Sequence, residues 1–426
     1  MLTLARRVLA RRATNRRATA LWSLAFRPFF LAASVWSVLA LALWIAMLLT
    51  GVSQPSRFDP VSWHIHAMLF GFVLAAIAGF ILTAIPNWTD RVPIRGAALS
   101  RLVLLWLLGR IACFVSSFLP LWLAALADVA FPFVLCAVVA REIVAARNWR
   151  NLVMPVPIGV LGIANLLMYL AVGGSGVPAG LGWRLAIFAI IVLVSAVGGR
   201  IIPTFTRNWL VMRGSDGPPS AHGPIDRMAL GTLHAGLLGW VFFPETMPIG
   251  VLLLIAAALN FWRLARWRGL ATLAEPLLTV LHLGYLWIPV GAVLLGAATL
   301  TDFVPEAAAI HAFTAGAIGT MVLAVMTRVS RGHTGRPLQA DRPTAMIYLT
   351  ITAAAVARVA AGFAGPASLV LLAVSAVLWV TSFALFIFYY GPMLVYPRAW
   401  FGGADRRLRP SPLRPTLRED RRDRTG

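Results

Sequence analysis

The chain predicts an all-α integral membrane fold: twelve transmembrane helices in three four-helix pseudo-repeats, with both termini cytoplasmic. Three observations predict it. Of 426 residues, 60% are hydrophobic and only 12% charged, with a mean hydropathy of +0.82, a balance that soluble globular chains do not carry. Apolar runs recur at the length that crosses a bilayer, and the basic residues cluster between alternate runs.

Residues 1–20 form a basic arm that leads into a first helix with no small-residue cleavage site, so the helix is read as retained and not as a removed signal peptide. Residues 21–395 form the membrane domain. Runs of about 20 residues, enough to span roughly 30 Å of hydrocarbon, lie near 29–50, 62–85, 98–118, 120–140, 153–173, 180–205, 226–243, 246–266, 275–300, 304–327, 343–363 and 366–390. Residues 396–426 form a basic tail. All 37 basic residues are arginine: seven precede the first span's core, three or four stand in each connection after an even-numbered span, and nine stand in the tail. The other loops hold only Arg57 and Arg184. Short cytoplasmic loops keep their basic residues, so this alternation sets the orientation and accounts for most of the formal +22 charge. Membrane lipid is the expected contact of the basic arms; without an aromatic-interleaved basic domain, nucleic acid is not.

Internal similarity sets the architecture. "GFILTAIPNWT" begins at Gly79, "GRIIPTFTRNW" at Gly199 and "GTMVLAVMTRV" at Gly319, equally spaced along the chain. Pro28, Pro155 and Pro276 each open a span at a first-turn position, where the missing N–H costs nothing. The units run over about 21–149, 150–269 and 270–390, which predicts three arcs around an axis along the membrane normal.

Five histidines fall inside spans: His64 and His66 in the second, His234 in the seventh, His282 in the ninth and His311 in the tenth. An ionisable or metal-binding group at such a position points to function; the plain alternative is a neutral imidazole hydrogen bonded to a neighbouring carbonyl. By rise per residue, His66 and His311 share a depth in the outer half of spans that are equivalent in the repeat. Two imidazoles from different helices at one level suit the two faces of a haem iron, so this pair is the expected haem ligand set. His64 and His66 point about 200° apart on a regular helix and serve different sites. Arg358 lies near the same depth and is placed to hold a haem propionate. Arg110 and Asp128, central in adjoining spans, are expected to form a buried ion pair. Cys113 and Cys136 read as small buried apolar residues.

"FRPFF" at 26, "WHIHAMLFGF" at 63, "GGRIIPTFTRN" at 198, "LHLGYLWIP" at 281 and "IHAFTAGAIGTMVLAVMTRVSRGHTGRP" at 310 together resemble the NnrS family of bacterial inner-membrane proteins over nearly the whole chain. The resemblance implies a haem- and copper-containing protein tied to denitrification and to tolerance of nitric oxide and nitrosative stress. One departure is Ala67, where the family pattern leads one to expect glutamate after the second histidine. A looser likeness, at the level of architecture alone, is to the catalytic subunits of haem-copper oxidases and nitric oxide reductases.

On this reading the metal-ligating candidates are His64, His66, His234, His282 and His311. Copper is expected at His234 and His282 with His64 as third donor, because imidazole suits copper and adds no buried negative charge. Tyr285, on the same helical face as His282, is the expected catalytic residue. The function expected is the handling of nitric oxide or its adducts, with turnover left open. The rivals are an anion or metal transporter, and a quinol-linked haem electron carrier or nitric oxide reductase; against the reductase stand the single histidine on span ten and the absence of a carboxylate pair for proton delivery.

Overall fold

Hydrophobic length dictates the elements, and every described element is helical. The computed structural model describes residues 20–215, 219 and 222–397, so the expected basic arm up to residue 19 and the tail beyond 397 lie outside the described residues. The long helices are α1 (Phe26–Thr50), α2 (Pro60–Thr89), α3 (Ala97–Phe114), α4 (Leu121–Ala145), α5 (Pro155–Val172), α6 (Ala179–Met212), α7 (Pro224–Phe242), α8 (Met247–Ala265), α9 (Pro276–Leu300), α10 (Glu306–His333), α11 (Arg342–Ala361) and α12 (Ser368–Val395).

Eleven of these segments are long and apolar enough to cross a membrane; α7 is not among them. It forms a helix at the place expected for the seventh span, but Asp226, Arg227, Thr232 and His234 within its 19 residues lower its hydropathy. The chain is a multi-pass membrane protein on the strength of the other eleven.

Local chemistry sets the helix starts. Pro60 opens α2 behind Asp59, whose Oδ1 accepts from the backbone N–H groups of Val61 and Ser62 at 3.0 Å each, an N-cap with proline at N1. Pro155 and Pro276 likewise open α5 and α9, and Glu275 caps α9 by accepting from the Leu277 N–H at 3.1 Å.

Packing produces a closed ring. α12 returns to lie against α1, and α2, α6 and α10 meet one another at the centre. Burial follows this placement for two of them: 83% of the apolar window of α2 and 72% of that of α10 are buried, against 22% for α1, while α6 at 56% is close to α9 at 61%. Around the three central helices lie three compartments, formed by α2–α5, by α6–α9, and by α10–α12 with α1 and the N-terminal ends of α2 and α6.

Two central helices share a further feature. Both widen to π-helix immediately after a histidine, over Ala67–Val73 following His66 and over Ala312–Gly319 following His311. The stretches read "HAMLFG" and "HAFTAG". Indole N–H groups seal the first, with Trp36 Nε1 donating to the Ala67 carbonyl at 2.9 Å and Trp106 Nε1 to that of Gly71 at 3.0 Å. Any side chain at Gly71 would meet the Trp36 ring, and at Gly316 the Trp287 ring. The close approach of indole to backbone therefore requires glycine at both positions. Short π segments inside α-helices frequently mark functional sites, and here each adjoins an intramembrane histidine.

Candidate functional site

The third compartment encloses a cavity of about 340 Å³, lined by His64, His311 and Arg358 among apolar and aromatic side chains that include Trp44, Trp183 and Trp379. Each polar group arrives from a different helix: His64 from the N-terminal end of α2, His311 from α10 and Arg358 from α11. The His64 ring stacks on Trp44, with centroids 4.9 Å apart and planes inclined by 20°, and its Nδ1 is buried without a hydrogen-bond partner. His311 is held differently. Its Nδ1 stands 2.7 Å from the Ala307 carbonyl oxygen, and since a carbonyl only accepts, Nδ1 carries the hydrogen and Nε2 keeps a free lone pair. Among the described residues Arg358 has no ion pair and no hydrogen bond, so a cation lines an apolar, intramembrane cavity without a counter-charge.

This is not the pairing expected. His66, the ligand anticipated from depth, points away from the cavity into the first compartment, and His64 takes its place beside His311. The reason is angular: residues two apart on a helix face nearly opposite sides, and matched depth says nothing about azimuth. Arg358, the residue expected to face a haem propionate, lines the same cavity as His64 and His311.

His66 is the centre of a buried polar node on the other face of α2. Its Nε2 stands 2.9 Å from Asp128 Oδ2 on α4 and 2.8 Å from Asn165 Oδ1 on α5, while its Nδ1 stands 3.4 Å from Cys113 Sγ on α3. The expected pair of Arg110 and Asp128 is formed, through Arg110 Nη2 and Asp128 Oδ1. Tyr169 donates its hydroxyl hydrogen to Asp128 Oδ2 at 3.0 Å. Asp128, Asn165 and His66 are fully buried, and Arg110 and Cys113 nearly so. Composition and depth alone make Cys113 a small apolar residue and leave Asn165 and Tyr169 unmarked, yet the sequence carries a signal. Cys113 lies one turn beyond Arg110, and Asn165 and Tyr169 stand four apart on a span with no other strongly polar side chain.

The second compartment does not assemble the copper set. His234 Nε2 meets Ser195 Oγ at 2.8 Å, and His282 Nε2 meets Thr206 Oγ1 at 2.9 Å. Ser195 and Thr206 lie eleven residues apart on α6, about 16 Å along its axis at 1.5 Å per residue, whereas nitrogen ligands of one metal sit about 2 Å from it. His64 lines the third compartment, away from both. Tyr285 is also engaged elsewhere. Its hydroxyl donates to Asn260 Oδ1 at 2.9 Å and accepts from Arg263 Nη1, while Arg263 Nε pairs with Asp226 Oδ1 at 3.0 Å. The phenol anticipated as catalytic is thus a fully buried member of a structural network joining α7, α8 and α9. Position along the chain argues the same way against the copper pair, since His282 lies near the N-terminal end of α9 and His234 near the middle of α7.

A family model described as NnrS protein matches residues 20–398 of the chain. No curated protein matches it.

Proposed function

The chain belongs to the NnrS family, which ties it to nitric oxide, and from that premise we propose that it is a haem protein of the bacterial inner membrane that handles nitric oxide or its adducts. The observation that carries this reading is the convergence of His64, His311 and the unpaired Arg358 on one apolar, aromatic-walled cavity.

The residues fit the group. His64 and His311, on different helices, would hold the iron of a haem, Arg358 would offer a counter-charge to a propionate, and the indoles would supply the apolar wall. A haem held there supplies an iron centre for binding a diatomic gas or for one-electron redox. The protein's contribution is unequal on the two sides. Ala307 holds the His311 ring in the tautomer and orientation that a ligand needs, the outer-shell support that metal-bound histidines ordinarily have. His64 has only the Trp44 ring beneath it and no anchor on Nδ1, so of the two imidazoles it is the less firmly held. The copper donors expected at His234 and His282 do not fit a shared metal, and no step is assigned to them or to Tyr285.

The reading includes twelve crossings, α7 among them, with both termini cytoplasmic. The test is haem content and absorption of detergent-purified protein. Wild type should show a Soret band. His311→Ala and His64→Ala should lose it wholly or largely, with the deeper loss in His311→Ala, while His66→Ala should keep it. A colourless wild type would favour the transporter reading, in which Arg358 binds a transported anion; undiminished haem in both variants would overturn the ligand assignment.

A further inference from the structure

We propose that the space where α2, α6 and α10 meet is a docking site for a small apolar gas, and that gas passes from it along the ring axis into the cavity of His64, His311 and Arg358. The docking site stands on its own walls. That the gas is bound for an iron rests on the haem reading.

The residues that face the axis leave it open. Ala76 of α2, Val194 and Gly198 of α6, and Val322 and Val325 of α10 carry too little side chain to fill the gap among three helices, and a cavity of about 70 Å³ remains there with Phe30 of α1 in its wall. Val194, Val322 and Val325 are accordingly only half-buried at the centre of the ring. No polar atom faces the cavity. A buried water needs about two to four polar partners, and an ion would give up its hydration with nothing to replace it, so neither has a place here. Apolar cavities stay dry and take up apolar solutes, and about 150 Å³ holds benzene or xenon. At the smaller volume found here the fitting occupant is a diatomic gas or a single xenon atom.

The position of the cavity gives it a destination. On α2, Leu69 and Val73 line the histidine cavity and Ala76 and Ile77 the axial one; on α10 the succession is Ile318, then Met321 and Val322. Spacings of three and four residues keep to one face of a helix, so the two cavities are stacked along the same faces of both helices. α6 follows suit, with Ile187 at the first and Val194 and Val197 at the second. The wall between them is about one helical turn, or about 5 Å. Both π segments end at this wall, at Val73 and Gly319, so the return to α winding coincides with the boundary. Val73 and Ile318 carry no polar atom on their side chains. Passage of an uncharged diatomic therefore breaks no side-chain hydrogen bond or ion pair there and asks only for side-chain rearrangement, whereas water and ions are held back by the same apolar wall.

Xenon probes the site and carbon monoxide the route, both on the full chain. Crystals of wild type under xenon pressure should show anomalous scattering at the axis among Ala76, Val194 and Val322, with or without haem. Val322→Phe, which fills the space, should lose that xenon, and Val194→Ala, which enlarges it, should gain occupancy. Val251→Phe, on the exposed face of α8, should change neither. In haem-bearing samples, laser photolysis of the carbon monoxide complex should show a slow geminate phase in wild type. Val322→Phe should lose this phase and associate severalfold more slowly at unchanged Soret absorbance and melting temperature. A wild type without xenon at the axis, whether the space holds water or a lipid chain, overturns the docking site. Xenon bound there, with identical carbon monoxide kinetics in Val322→Phe and wild type, overturns the route. A colourless protein that binds xenon at the axis supports the docking site and overturns the haem reading, and with it the passage to an iron.

Discussion

Arg110 is a single residue whose charge is tolerable inside the membrane only while its partner remains. Its guanidinium and the Asp128 carboxylate are both fully enclosed, so removing one leaves the other buried and uncompensated. We expect Arg110→Met to destabilise the protein by about 3–5 kcal/mol. The double variant Arg110→Met with Asp128→Leu should recover part of that loss by removing both charges, although His66 and Tyr169 then lose their acceptor. Thermal unfolding in detergent measures both, and a double variant less stable than Arg110→Met would refute the account. This pair is legible in the sequence because both residues sit near the centres of adjoining antiparallel spans, where a lone charge has no other remedy. The role of His66 is not. Depth comes from counting residues, but which face of α2 a side chain occupies depends on the packing of α3, α4 and α5, and that places His66 with Cys113 and turns His64 toward His311.

At the scale of the helix, the π segment of α2 sets the angular relation between its two ends. A helix advances about 100° per residue, so deleting Met68 from Ala67–Val73 would turn the end bearing His64 by roughly that angle relative to the remainder. On the haem proposal the expected result is a membrane-inserted protein that no longer binds haem; retained haem would show that the π segment does not aim His64. The recurring glycines are visible in the sequence, yet the widening after His66 and His311 is a backbone property that only the seated indoles reveal. A helix start carries its own pH dependence. Partial burial works to raise the Asp341 carboxyl, but hydrogen bonds from Thr344 and Arg331, with the Arg331 charge, hold it below its ordinary value. Asp341 caps α11, with the Thr344 N–H at 3.1 Å, and ties it to Arg331 of α10. Because the folded-state value is depressed, the ionised carboxyl stabilises the fold at neutral pH, and this is lost as pH falls through the carboxylate range. The side chain is about half exposed, so solvent screening limits the charge contribution and the cap is worth about 1 kcal/mol. Asp341→Ala should melt lower than wild type at pH 7, with the gap closing below about pH 4. A gap independent of pH would show that the carboxylate charge is not the cause.

For the molecule as a whole, α7 decides the topology. The basic connections predict that every even-numbered span ends in the cytoplasm, and this holds past α6 only if α7 crosses. If α7 lay outside the bilayer, Arg263, Arg266 and Arg268 would be translocated together, against the tendency of such clusters to stay inside. Its low hydropathy is the opposing argument, and the packing answers it. Asp226 at its start is paired with Arg263 and Arg266 of α8, and His234 is bonded to Ser195 of α6. The two buried or half-buried polar groups Asp226 and His234 that make α7 a poor span in isolation are thus satisfied by neighbouring helices, the usual condition for polar side chains within a membrane. Thr232 donates to the Met228 carbonyl of its own helix. Hydropathy scores a helix alone, whereas the ring supplies the partners, so α7 is expected to insert with α6 and α8 and not independently. Reporter fusions at Arg213 and Glu245 should read cytoplasmic and periplasmic respectively. Replacing Asp226 by Asn and Ser195 by Ala together should weaken the periplasmic signal at Glu245 more than equivalent changes in the loops. Equal cytoplasmic readings at both positions would remove α7 from the membrane and, with it, the threefold arrangement of four-helix units.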